Sequence, residues 1–235
     1  MFDSFVLMAS TAELSEEPQA RAHADAVEFR MDLASDPLEQ LTAYDGDLPL
    51  LITNRASWEG GEADDLARFD ALSTAVTHEA VEAVDIELAA LRGTHPDPAE
   101  QSHATALRAT AREEGLDIVV SVHDFESTPE PDVLVDLLAD AAAEGTVGKL
   151  ATRATSAADA LVMIEATHEA AAAGHRVATM CMGEPGRHTR AVTPVYGSKI
   201  GYAPVDPTNA TAPGQYSLAT LRRLVDGLRG DKSLE

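Results

Sequence analysis

The fold of this chain is decided by residues 117–151, which read DIVVSVHDFESTPEPDVLVDLLADAAAEGTVGKLA. Two short runs rich in β-branched residues, Asp117–Val122 and Val147–Ala151, are typical of buried strands. Between them, Asp132–Glu144 has apolar residues at helical spacing and is followed by Gly145, a residue that often terminates helices. The stretch therefore predicts a strand, a helix and a second, parallel strand.

The same alternation extends over the whole chain. Ser156–Ala173 opens with a capping-box-like Ser-Ala-Ala-Asp, and Ser217–Arg229 carries one apolar face before a glycine. The helix after the fourth strand is less clear, since residues 93–98 are typical of a loop. The predicted strands are Phe5–Ala9, Ala26–Met31, Pro49–Thr53, Ala83–Leu88, Asp117–Val122, Val147–Ala151, Arg176–Met182 and Ser198–Tyr202.

Eight strands alternating with helices in 235 residues predict an α/β fold, a (β/α)8 TIM barrel. The alternative is an open doubly wound sheet, which usually has a glycine-rich turn after its first strand, and Met8–Thr11 is not such a turn. We expect a single catalytic domain over residues 1–231. Residues 232–235 are expected to be a C-terminal tail, of which Leu234-Glu235 is typical of a cloning remnant.

The composition excludes several classes of function. The chain carries 40 acidic and 17 basic residues, a formal net charge of −23, so neither nucleic acid nor an anionic membrane is an expected partner. Its one cysteine, Cys181, allows no internal disulfide, and no signal peptide or membrane-spanning run is recognisable. We therefore expect a cytoplasmic protein. An acidic, alanine-rich chain with only three lysines also favours adaptation to a salt-filled cytosol.

Charged residues cluster where the predicted strands end. In a TIM barrel the carboxyl ends of the strands meet at the face that carries the active site. Any one of these residues can belong to an ordinary ion pair, such as Glu28 with Arg30 or Arg55. Buried charges are costly, however, and a whole set of them at strand ends indicates a site. The set comprises Glu28, Arg30, Asp32, Arg55, Glu59, Asp85, Glu87, His123, Asp124, Lys149 and Arg190.

Lys149 and His123 have the residue types that imine chemistry needs. A lysine on the inner face of a strand is poorly solvated, which favours the neutral amine that attacks a ketone. An imidazole at the barrel mouth can relay protons near neutral pH. From the residues alone, Lys199 on the eighth predicted strand is as good a candidate for the imine-forming lysine as Lys149. A purely structural role also stays open for both lysines and for His123.

Seven ordered blocks of the sequence resemble the type I 3-dehydroquinate dehydratases, the Schiff-base-forming enzymes of the shikimate pathway. Any one block is a weak signal, but their order over nearly the whole chain is specific. The blocks are Glu28–Asp32, Arg55–Gly61, Asp85–Leu88, Ser121–Phe125, Lys149–Ala151, Met182-Gly183 through Thr189-Arg190, and Ala212–Gln215.

The resemblance implies that the chain converts 3-dehydroquinate to 3-dehydroshikimate with loss of water, without metal or organic cofactor, as a homodimer. By position, the imine-forming lysine is Lys149, the proton-transferring histidine is His123, and the carboxylate that orients the histidine is Glu59. Arg190 is expected to hold the substrate carboxylate. The matching substrate-binding positions are Glu28, Arg30, Arg55, Arg190, Thr211 and Gln215.

The chain departs from the family pattern in its first strand and its last loop. A serine that the family often has on strand one is expected at Val6 here, which would remove a hydroxyl contact. A second serine is replaced by Thr211, which keeps its hydroxyl. Because only about four residues precede strand one, we expect a hairpin that closes the barrel floor to be absent.

Two other kinds of barrel enzyme remain as alternatives. A class I aldolase also uses a lysine imine but usually needs a phosphate site of backbone amides late in the barrel. A metal-dependent sugar isomerase would use Glu28, Asp85, Glu87 and His123 as ligands. A barrel without catalytic activity would show neither turnover nor an imine.

The composition yields a prediction about salt. Because ions screen the repulsion among 40 acidic side chains, we expect the melting temperature to be higher in concentrated KCl than in dilute buffer. Thermal melts followed by circular dichroism in both solutions measure the difference. Equal melting temperatures would contradict adaptation to salt.

Overall fold

The computed structural model describes residues 1–63, 66–94, 97–206 and 214–230. Its strands are β1 (Val6–Thr11), β2 (Ala26–Arg30), β3 (Leu50–Thr53), β4 (Val81–Glu87), β5 (Asp117–Asp124), β6 (Val147–Arg153), β7 (Val177–Met182) and β8 (Ile200–Pro204). Its helices are α1 (Glu17–Ala20), α2 (Pro37–Thr42), α3 (Ala67–Ala75), α4 (Leu88–Arg92), α5 (Pro98–Glu113), α6 (Pro131–Glu144), α7 (Ala157–Ala172), α8 (Thr189–Val192) and α9 (Leu218–Arg229). Thr211 and the tail predicted at 232–235 lie outside the described residues.

The strands form one parallel sheet that closes on itself. Neighbours follow the chain order from β1 to β7, and β8 pairs with the free side of β1. The ring closes where the Lys199 amide donates to the Val177 carbonyl over 2.7 Å and Val177 forms a bridge with Ser198. The TIM barrel is therefore confirmed, and the open doubly wound sheet is wrong. All eight predicted strands are present, with ends shifted by a few residues.

The barrel interior is divided into an apolar floor and a polar upper layer. Side chains alternate along each strand, so every second residue points inward. Phe2 and the first inward residues form one buried apolar cluster, which includes Val6, Met8, Ala26, Leu51, Ala83, Val119 and Val147. Two residues further along six strands, the inward side chains are polar: Ser10, Glu28, Thr53, Asp85, Ser121 and Lys149.

The outward strand residues pack against the helices in a second buried layer, with Phe29, Ile52, Ile86 and Leu107 among its fully buried members. This layer surrounds the barrel and fixes the strand ends that carry the functional side chains. In the part of the chain that the structure describes, none of the helices combines the length and the apolar character needed to cross a membrane.

Gly148 shows how closely a helix approaches the barrel wall. It lies on β6 beside Lys149, and a Cβ atom there would come within 2.8 Å of both the Leu138 carbonyl oxygen and the Ala142 amide nitrogen on α6. Any side chain would push α6 away from β6. Glycine is therefore required by close packing at this position.

Gly148→Ala should lower the free energy of unfolding by about 1–3 kcal/mol because the added methyl group overpacks this contact. Urea denaturation at constant salt measures the change. Gly227→Ala is a matched control, since no heavy atom lies within 4 Å of its Cβ position on α9. That control should stabilise the protein by about 0.5–1 kcal/mol. Equal stability of Gly148→Ala and wild type would contradict the close approach.

Candidate active site

A pocket opens at the carboxyl ends of the strands and brings together residues that are far apart in sequence. All the residues predicted to act in catalysis or substrate binding line it, except Thr211, which lies outside the described residues. They are Glu28, Arg30, Arg55, Glu59, His123, Lys149, Arg190 and Gln215. The apolar part of the lining is supplied by Phe125, Met180 and Met182.

Lys149 lies at the base of this pocket and is 5% exposed. Its Nζ donates to Asp85 Oδ2 over 3.1 Å and lies 3.8 Å from Glu28 Oε1. The Tyr202 ring covers it on another side, with the ring centroid 4.5 Å from Nζ. Carboxylates and an aromatic face both favour a positive nitrogen, so these surroundings suit a cationic imine as well as an ammonium. Lys199, by contrast, donates to the Asp3 carbonyl below the strands.

Asp85 links the lysine to the rest of the polar layer. Its Oδ2 lies 2.7 Å from Arg55 Nη2, and its Oδ1 accepts a 2.6 Å hydrogen bond from Ser121, which in turn accepts from Arg55. Burial alone would raise the pKa of Asp85, but the charges of Arg55 and Lys149 outweigh it and hold that pKa well below its usual value. Asp85 is therefore a permanent anion between two cations.

His123 and Glu59 form the second chemical centre. His123 Nδ1 lies 2.6 Å from Glu59 Oε2, which leaves Nε2 for the pocket. Glu59 ends the short turn Ser57–Glu59, and Gly60 follows with φ of +79°, a conformation that side chains rarely adopt. The Phe125 ring lies against Gly60 and also stacks on the His123 ring, with the centroids 5.9 Å apart. The imidazole is thus fixed both by a hydrogen bond and by packing.

The surroundings in the pocket shift the pKa values of both His123 and Glu59. Burial lowers the pKa of His123 well below its usual value, and the positive charges of Arg55 and Lys149 lower it further. Burial raises the pKa of Glu59 to about 8, against the attraction of Arg55. The imidazole therefore stays neutral at neutral pH, which is the form that accepts a proton. The pair acts as a base once Glu59 is ionised, because Nδ1–H then donates to its carboxylate and leaves Nε2 to accept a proton. The same carboxylate balances the charge of the ring when it becomes positive.

Arg190 is the pocket cation without an acidic partner among the described residues. It is 4% exposed, its Nη1 contacts the sulfur of Met180 at 3.5 Å, and its Nε has no hydrogen-bond partner in the described part of the chain. Burial lowers the pKa of Arg190 to about 10, still far above neutrality. A buried guanidinium with unused donors is suited to binding an anionic ligand in a bidentate manner.

Ser10 corrects the expectation for strand one. Val6 belongs to the apolar floor, whereas Ser10 lines the pocket and its hydroxyl donates to Glu28 Oε2 over 2.6 Å. The predicted loss of a strand-one hydroxyl is therefore wrong. Val6 and Ser10 face the same way along β1, so the alternation of side chains alone could not tell which of the two lies at the level of the pocket. Thr53 and Tyr202 also line the pocket, although they were not among the predicted site residues. Both face the barrel interior on their strands.

The ion pairs differ from those that the sequence suggested. Arg30 binds Asp32 through two contacts of 2.8 and 2.6 Å, and Arg55 binds Asp85 and Glu87 rather than Glu28. Among the described residues, no group of three or more His, Cys, Asp or Glu side chains is arranged to hold a metal ion. The three carboxylates of the ligand set expected for an isomerase, Glu28, Asp85 and Glu87, instead contact arginine, lysine and hydroxyl groups. Its fourth member, His123, contacts Glu59.

Comparisons with known proteins agree with this geometry. The family model described as type I 3-dehydroquinase matches residues 5–232. The chain is 58% identical to a 3-dehydroquinate dehydratase of Haloarcula marismortui, with 98% of this chain and 99% of that protein covered. It is 52% identical to one of Halobacterium salinarum, with 97% and 99% covered. Both organisms are halophilic archaea.

A solved structure gives the same result. The crystal structure of 3-dehydroquinate dehydratase from Geobacillus kaustophilus superimposes with a TM-score of 0.82 at 25% identity, covering 98% of this chain and 93% of that one. Fold and sequence thus agree over nearly the whole chain. The chain belongs to the type I 3-dehydroquinase family.

Proposed function

We propose that this chain dehydrates 3-dehydroquinate to 3-dehydroshikimate through an imine on Lys149, with His123 as the proton-transferring group. Its family consists of hydro-lyases of the shikimate pathway, which leads to the aromatic amino acids. The observation that carries the residue assignment is the juxtaposition of a buried lysine with a neutral, fixed imidazole in one pocket.

The first step joins Lys149 to the substrate ketone. The amine attacks the carbonyl carbon, the carbonyl oxygen leaves as water with one proton of the nitrogen and one proton taken up from solvent, and a positively charged iminium remains. Asp85, Glu28 and the Tyr202 ring surround this nitrogen and compensate its charge. The iminium withdraws electrons from the neighbouring carbon and so acidifies its C–H bond.

His123 then moves the proton. Its neutral ring takes the proton from the acidified carbon, which leaves an enamine and an imidazolium. The enamine electrons expel the hydroxyl group on the next carbon, and the imidazolium returns its proton to that group, so that water departs. Glu59 stabilises the positive ring through the 2.6 Å contact. Hydrolysis of the remaining iminium releases the product and restores Lys149.

Substrate binding is assigned to the remaining polar residues. The carboxylate is bound by Arg190, which among the described residues is the pocket cation without an acidic partner. Glu28, Arg30, Arg55 and Gln215 are proposed to bind the hydroxyl groups or to shape the pocket around them, and Thr211 is proposed to contribute from the last loop. This set favours a polyhydroxy carboxylate over the phosphorylated substrate of an aldolase.

We further propose a homodimer in the cytoplasm that needs neither metal nor organic cofactor. Activity that survives chelation with EDTA supports the metal-free reaction. Sedimentation equilibrium at high salt tests the dimer, which should have twice the 24.8 kDa mass of one chain.

The imine assignment predicts different outcomes for two lysine variants. With 3-dehydroquinate present, borohydride reduction should trap a covalent adduct in wild type and in Lys199→Ala, but none in Lys149→Ala. Intact-protein mass spectrometry measures the adduct. Lys199 is a matched control because it is a lysine next to a barrel strand but points away from the pocket. Trapping that survives in Lys149→Ala and disappears in Lys199→Ala would reverse the assignment.

Removing the imidazole should separate imine formation from proton transfer. His123→Ala should still be trapped by borohydride, because Lys149 keeps its own contacts, but kcat should fall at least 100-fold, the usual order for a lost general acid–base group. The rate is measured from the absorbance of the conjugated enone product. A kcat within a few-fold of wild type would remove His123 from this role.

A further inference from the structure

A buried ion pair lies outside the barrel, behind the wall of the active site. Arg68 on α3 and Glu100 on α5 are 2% and 1% exposed. Their side chains form two parallel contacts, from Nη1 to Oε1 over 2.9 Å and from Nη2 to Oε2 over 2.7 Å. Removing two charges from water costs several kcal/mol, which an apolar pair in the same place would not. The helix layer therefore carries a feature that packing alone does not require.

The pair reaches the barrel through Glu87 on β4. Arg68 Nη2 lies 3.3 Å from Glu87 Oε2. The other oxygen of Glu87 accepts from Arg55 Nη1 over 3.2 Å and from the Ala56 backbone amide over 3.1 Å. Glu87 is thus held from behind by Arg68, and on its pocket side it holds the beginning of the segment that leads to Glu59.

Arg68 contacts the same segment at two further points. Its guanidinium lies 5.9 Å from the centre of the Trp58 ring, and Trp58 immediately precedes Glu59. The Asn54 side chain donates to the Arg68 carbonyl oxygen over 3.3 Å. Residues 54–59 are therefore attached to one helix residue at both ends. Glu59 itself has the 2.6 Å contact that orients His123.

We propose that Arg68 and Glu100 are positioning residues for proton transfer. They hold Glu87, and with it residues 54–59, so that Glu59 keeps the His123 ring directed at the substrate. This inference rests on the proposed function and deepens it by adding two residues outside the pocket. A displacement of about 1 Å in such a group can cost 100-fold in rate, so a distant support can control the reaction without contacting the substrate.

Of the two chemical steps, proton transfer by His123 depends on the Arg68–Glu100 pair, whereas imine formation on Lys149 does not. Lys149 is held by Asp85, Glu28 and Tyr202, none of which contacts Arg68 or Glu100 in the described contacts. Loss of the outer pair should therefore impair the His123 step and spare imine formation. A role confined to stability would change the melting temperature and leave the rate of the folded enzyme unaltered.

The test is the double variant Arg68→Met/Glu100→Leu, which removes both charges together and leaves no buried charge unpaired. Such replacements are often neutral or stabilising. In the folded double variant, borohydride with 3-dehydroquinate should still trap the adduct on Lys149. Its kcat should fall at least tenfold, with KM changed less than threefold. Arg68→Lys, which keeps the charge toward Glu87 but loses the two-point contact with Glu100, should have an intermediate kcat.

Glu17→Gln is a matched control on another side of the barrel. Glu17 is 1% exposed and accepts from Arg21 and from the Leu48 amide, so it too is a buried carboxylate paired with arginine. It has no link to residues 54–59 in the described contacts, and its kcat should equal that of wild type.

A double variant with wild-type kcat overturns the positioning role. If the double variant does not fold, Arg68→Lys decides, and its wild-type kcat would overturn the role equally. Loss of adduct trapping in a folded double variant would also overturn it, since the two steps would then not be separable. Failure of wild type itself to form the adduct would instead overturn the proposed function.

Discussion

The rest of the site depends on the contacts that the Asp85 carboxylate makes with its neighbours. It is fully buried, and it contacts Lys149, Arg55 and Ser121 at the same time. It lies between two buried cations and offsets their charge, which matters because an unpaired buried charge costs several kcal/mol. Asp85 thus holds the Lys149 nitrogen and, through Arg55, connects it to the network that ends at Glu87.

The barrel makes such a network possible by dividing its interior. Phe2 and the first inward residues fill the floor with apolar side chains, so water is kept from below. The polar layer above faces the pocket and is supported by backbone pairing between neighbouring strands. Parallel strands bring Glu28, Asp85 and Lys149 to one level even though they lie far apart in the chain. The barrel therefore determines where these side chains lie, and their residue types determine that positive and negative charges balance.

The strands could be predicted because β-branched runs and terminating glycines are local signals. The pocket could be located because parallel strands in a barrel must end at one face. Ser10 was missed since Val6 and Ser10 share a face of β1, and alternation does not say how high a residue lies. The partners of Arg55 also required the three-dimensional register.

Arg68 and Glu100 could not be anticipated for a different reason. On a helix, a charged residue usually faces solvent, and these two are 32 residues apart. Only the packing of α3 against α5 brings them together on the outer side of the barrel wall. Long-range ion pairs in the helix layer leave no periodic pattern, so sequence reasoning has no signal for them.

The central claim is that a covalent imine forms at Lys149. The most direct measurement is borohydride reduction of the wild-type enzyme in the presence of 3-dehydroquinate, followed by proteolysis and tandem mass spectrometry of the modified peptide. The account predicts one reduced adduct, on the peptide that contains Lys149. An adduct on Lys199, or full turnover of the substrate without any trapped adduct, would contradict it.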